Sequence, residues 1–106
     1  MPTMWIVDSK SGAPIRLTEE RWHHITLRHP EMQGERARVL ETLSDPEWIQ
    51  DGDYGELLAV RYYADTPLAG KYLVVVYREF GAHDGFMLTA YLTNRPSARR
   101  VTLWKR

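Results

Sequence analysis

Between residues 19 and 43 apolar positions recur every third or fourth residue, and beyond residue 56 every second one. That change of period predicts helices followed by strands. The first helix has a start signal in Thr18, whose hydroxyl can accept a free amide of the first turn. Glu19 and Glu20 follow at the positive end of the helix dipole. It runs to about Leu27 or Arg28, because Pro30 disfavours helical geometry at His29. Trp22 and Ile25 share one face of it, and Arg21, His24 and Arg28 share a neighbouring one. A second helix is expected over Glu31 to Leu43, with Pro30 suited to its first turn. Met32, Val39, Leu40 and Leu43 form its apolar stripe, Gly34 weakens it, and Ser44-Asp45-Pro46 ends it.

Three runs then read as strands: Leu57 to Tyr63, Lys71 to Phe80 and Gly85 to Asn94. Asp65 to Gly70 and Gly81 to Gly85 separate them, and such short connections make antiparallel neighbours. Trp5-Ile6-Val7 and Ile15-Arg16-Leu17 read as short strands around a Ser9 to Pro14 turn. Trp48-Ile49 starts another, before an Asp51 to Gly55 turn, and Val101 to Trp104 adds a last edge strand. The expected fold class is α+β: a single domain, residues 1–106, with two N-terminal helices packed on an antiparallel sheet of about four strands.

Alternation sorts the strand residues into faces. Leu88, Ala90 and Leu92 are expected to point towards the helices, with Thr89, Tyr91 and Thr93 opposite. Leu58, Val60 and Tyr62 oppose Arg61 and Tyr63. In the central run, Lys71, Leu73, Val75 and Tyr77 oppose Tyr72, Val74, Val76 and Arg78. Both sets are apolar, as expected of a central strand, so which one meets the core stays open. The reading assembles one polar sheet surface from Arg61, Tyr63, Thr89, Tyr91 and Thr93, joined by Lys71.

At 106 residues the chain can build one core. It has no cysteine, which excludes a disulfide framework, a thiol nucleophile and a cysteine-based zinc site. No apolar run approaches the roughly 20 residues needed to cross a bilayer. The start, Met1-Pro2-Thr3-Met4-Trp5, lacks a basic region followed by an apolar stretch. A soluble, cytoplasmic protein without membrane contact is expected. The net charge is zero but divided: residues 1–56 carry 11 acidic and 6 basic side chains, and residues 57–106 carry 3 and 8. Arg95 to Arg106 holds five basic groups and no acid, which suits a polyanion.

Three of the four histidines lie in Arg21 to Glu31. His23, His24, His29 and His83 make a poor metal set, since a two-histidine helical site wants i, i+4 spacing. No Gly-x-Ser-x-Gly elbow and no glycine-rich phosphate loop is present. Phosphodiester cleavage in RNA without a metal or cofactor fits better. It needs a base for the 2′-OH, an acid for the leaving 5′-oxygen and cations for the phosphate. Imidazole suits both proton roles, and Lys and Arg suit the third. His24, His29, Arg28 and Lys71 supply that set.

Three segments in order carry a family resemblance: Trp22-His23-His24-Ile25-x-x-Arg28-His29-Pro30-Glu31, Lys71-Tyr72-Leu73-Val74-Val75-Val76 and Leu88-Thr89-Ala90-Tyr91-Leu92-Thr93. They resemble the phage-associated branch of the barnase–EndoU–colicin–RelE-like (BECR) nucleases over about residues 17–94. The resemblance implies a metal-independent endoribonuclease, often the toxin of a toxin–antitoxin pair, with RNA as substrate and an antitoxin protein as partner. It implies catalytic roles for His24, His29, Lys71, Thr89 and Tyr91, with one histidine as general base and the other as general acid. Arg28 and Lys71 would hold the scissile phosphate. Arg61, Tyr63, Thr93 and Arg95 complete the expected substrate-binding set. Some members of that superfamily have lost catalytic residues, so the alternative is an inert RNA-binding or protein-interaction domain.

Overall fold

A computed structural model describes residues 3–106. Met1 and Pro2, at the head of the segment read as lacking a leader, lie outside the described residues. Among the described residues seven strands form one mixed sheet: β1 (Met4–Asp8), β2 (Pro14–Thr18), β3 (Trp48–Asp51), β4 (Leu57–Thr66), β5 (Ala69–Glu79), β6 (Gly85–Thr93) and β7 (Thr102–Lys105). Their order is β1-β2-β6-β5-β4-β3-β7. Helices α1 (Glu19–Arg28) and α2 (Arg36–Ser44) lie between β2 and β3 in the chain.

This corrects the expected architecture of two N-terminal helices on about four antiparallel strands. The two short N-terminal runs are full members of the sheet, as are β3 and β7. Among the described strands one pairing is parallel, between β2 and β6, and it rests on the single pair Arg16–Phe86. Alternation within a strand carries no signal for such a partner, which is set by where α1 directs the chain.

The second helix is also shorter than expected. Pro30–Met32 forms a 3₁₀ turn, and Gly34 follows at φ +82°, a left-handed conformation that ends the helical path. Helix α2 therefore starts at Arg36 rather than Glu31. The expected Asp65 to Gly70 loop is mostly strand, since β4 and β5 pair through Thr66–Ala69.

The main core lies between the sheet and the helices. Ile25, Met32, Val39 and Leu43 meet Ile15, Leu17, Ala59, Leu73, Val75, Tyr77, Met87 and Ala90 there. A smaller cluster of Leu58, Val60 and Val74, with Trp48, Tyr72, Val76 and Tyr91 against it, sits on the other face. Residues 94–101 cross that second face to reach β7, and Gln50 Nε2 donates to the Ser97 carbonyl at 2.8 Å along the way. That covered second face is why both residue sets of β5 are apolar. Among the described residues no helix is long and apolar enough to cross a membrane.

Two local features shape the open edge of β6. Gly85 lets β2 close onto the sheet: a Cβ there would come within 2.5 Å of Ile15 Cδ1 and 2.6 Å of the Arg78 carbonyl oxygen. Then the β5–β6 register slips, from Tyr77–Met87 to Val76–Thr89, leaving Leu88 as an extra residue. Such a bulge reverses which residues face the core. Met87 therefore joins the helix-side core before it, where the alternation had put Leu88, and Ala90 joins after it.

Candidate functional site

Past the Arg16–Phe86 pair, no described strand covers the outer edge of β6. Helix α1 runs beside that edge instead. Thr18 caps it by accepting from the Arg21 amide at 3.0 Å, as its sequence signals require. Its last amide bond runs from His29 N–H to the Ile25 carbonyl at 2.8 Å. His29 then leaves the helix at φ −130°, ψ 77°, because Pro30 follows.

Arg21, His24, Arg28 and His29 line a recess of about 280 Å³ with Ile25, Leu88 and Thr89. His24 and Arg28 share a helix face at i, i+4. The His29 ring lies 5.9 Å from the Tyr91 ring, centroid to centroid, and its Nδ1 is 3.8 Å from the Glu31 carboxylate. Among the described residues, Arg21 and Arg28 form no ion pair and their guanidinium groups make no hydrogen bond. Two guanidinium groups without partners among the described residues and two imidazoles thus border one hollow. A larger recess of about 460 Å³ is lined by Thr18, at the end of β2, and by Glu20, Arg21, His23 and His24, with no residue of β6 in its lining.

Tyr91 is half-buried against the second-face cluster. Burial pushes its phenol pKa up, and the Arg100 guanidinium pulls it part of the way back. The phenol is therefore a neutral hydrogen-bond donor near neutral pH. Arg100 is fixed by Asp53 at 3.2 Å. Arg21, Glu31 and Arg100 were not among the expected site residues. Arg21 was legible from its spacing to His24 and Arg28, whereas Glu31 and Arg100 become neighbours of the site only through the 3₁₀ turn and the chain crossing.

The expected polar sheet surface is divided between the two faces. Thr89, Tyr91 and Thr93 stand opposite Val76, Val74 and Tyr72, on the face away from the helices. Arg61 and Lys71 stand opposite Leu73 and Tyr63, on the helix face. Lys71 does not line the recess. Its register position lies three residues past Tyr91, about 10 Å along the strand.

Arg61 and Tyr63 are bracing residues. Arg61 Nη1 donates to Asp45 at 2.8 Å, and the Tyr63 hydroxyl donates to Glu41 at 2.8 Å and lies 3.1 Å from the Thr42 hydroxyl. Burial pushes the Tyr63 phenol up to about 12. Thr93 is held in a turn with Arg95, by a 3.3 Å bond from the Arg95 amide. The Arg95 side chain is exposed beyond the end of β6. Among the described residues no group of three or more His, Asp or Glu side chains could hold a metal ion. No protein-family model matches the chain, and it has no match among curated proteins or solved structures.

Proposed function

We propose that this protein is a metal-independent endoribonuclease acting at the α1–β6 recess. The observation that carries the reading is the convergence of His24, Arg28 and His29 with Thr89 at the open edge of β6, with Tyr91 beside His29. One imidazole takes the 2′-OH proton, the 2′-oxygen attacks phosphorus, and the bond to the 5′-oxygen breaks as the second imidazole protonates it. The products are a 2′,3′-cyclic phosphate and a 5′-hydroxyl.

Glu31 supports an assignment of roles. The Glu31 carboxylate lies 3.8 Å from Nδ1, which leaves Nε2 as the His29 nitrogen free to accept a proton. His29 is then the base and His24 the acid. Arg21 and Arg28 neutralise the phosphate, and Thr89 and Tyr91 donate to it. Lys71 has no role in this arrangement.

The resemblance to toxin nucleases extends the reading to a chain held inactive by an antitoxin protein. The test is incubation of purified protein with single-stranded RNA in EDTA. Cyclic-phosphate ends are expected, with about 10²–10⁴-fold fewer from His29→Ala. Salt-dependent binding without cleavage would mark an inert RNA-binding domain instead.

A further inference from the structure

A second hollow, about 330 Å³, opens between the β1–β2 turn and β7. Ile49, Leu57, Tyr77, Leu103 and Trp104 give it apolar walls, and Lys10, Ser11 and Glu79 lie at its rim. These elements lie far apart in the strand order, yet Lys10 Nζ stands 4.8 Å over the Trp104 ring. The turn thus borders the hollow, which stays open to solvent.

Its floor holds an unused donor. Tyr77 is only 1% exposed, and among the described residues its hydroxyl has no hydrogen-bond partner. No side-chain oxygen or nitrogen of the described residues is both fully buried and unpartnered, so this hydroxyl keeps a small opening. The hollow it lines provides that opening. Burial pushes the phenol pKa up, and the Glu79 charge adds to the shift; Glu79 stands two residues along β5 on the same face and lines the same hollow. Glu79 accepts from both Ser9 and Ser11 through Oε2 alone, so Oε1 is left as an acceptor. An opening onto the hollow leaves the hydroxyl able to donate to a molecule bound there.

We infer that this hollow is a binding site for a small neutral aromatic molecule with a lactam edge, a carbonyl and an N–H side by side. The carbonyl accepts from the Tyr77 hydroxyl, the N–H donates to Glu79, and the ring lies against Ile49, Leu57 and Trp104. An anionic ligand is disfavoured by Glu79, and Lys10 is engaged on Trp104. The volume admits a bicyclic ring and excludes a folded peptide segment. The site shares no lining residue with the α1–β6 recess, so it stands whether or not the ribonuclease reading does.

The test is titration of the full chain with 2-quinolinone, coumarin and naphthalene, followed by NMR of the Ile49, Leu57 and Leu103 methyl groups. Coumarin lacks the N–H, and naphthalene lacks both polar groups. Each lost hydrogen bond is expected to weaken binding about tenfold, in the order quinolinone, coumarin, naphthalene. Tyr77→Phe is expected to weaken quinolinone about tenfold and leave naphthalene unchanged. Equal affinity for the three ligands, or no methyl shift with quinolinone up to its solubility limit, overturns the inference. The ligand series on the unmodified protein decides the matter if Tyr77→Phe fails to fold.

Discussion

The two hollows have similar volumes, about 280 and 330 Å³, and opposite linings. The one beside β6 has guanidinium groups without ion-pair partners and two imidazoles, and it lies where a strand edge is left open. The one beside the β1–β2 turn has its cation on an indole and its carboxylate shared by two hydroxyls. Free cations leave the first ready for an anion. Satisfied charges around a buried phenol leave the second ready for a neutral ring. Size is therefore a poor guide to what each takes, and the pairing state of the charges is a better one.

The sharpest way to break the contrast is to remove one imidazole. His24→Ala and His29→Ala should each lower RNA cleavage by about 10²–10⁴-fold with an unchanged melting temperature. Next comes the helix that carries them. Ile25 is 1% exposed and pins α1 to the core, so Ile25→Ala should cost about 2–4 kcal/mol in denaturant unfolding. Arg28→Ala should weaken RNA binding and reduce the salt slope by about one unit. In contrast, Lys71→Ala should change cleavage by no more than about twofold.

Tyr63→Phe tests a residue assigned to bracing. It should cost about 1 kcal/mol and leave cleavage intact. Its phenol is raised from 10 to about 12 in the fold, so its contribution is complete below pH 10 and is lost as pH rises towards about 12. The alkaline loss of stability should shrink in Tyr63→Phe, and some should remain because burial also raises Tyr77 and Tyr91.

Much of α1 was legible in the sequence, because its signals are local. Thr18 caps it, Arg28 ends it, and Pro30 turns His29 out of the helix. The pairing of Arg61 with Tyr63, and of Leu58 with Val60, was legible from strict alternation in β4. The sheet as a whole was not. The two short N-terminal runs pair with each other across their turn, but a parallel contact of one residue pair leaves no pattern to say where that hairpin joins the sheet. The bulge at Leu88 was equally silent, yet a single extra residue puts Thr89 and Tyr91 on the face opposite Lys71. Alternation on an apolar strand such as β5 cannot choose a face, and the site residues drawn from it were joined to the wrong neighbours for that reason.

The central claim is that the open edge of β6 holds a phosphodiester between His24 and His29. NMR titration with a 2′-deoxy oligonucleotide, which binds without being cleaved by 2′-OH attack, tests it directly. The His24 and His29 ring signals and the Leu88 methyls should shift together along one binding curve that high salt abolishes, while the Leu57 and Ile49 methyls stay still. Shifts confined to Lys71 and Arg61 on the helix face, with both histidines unmoved, would contradict the account.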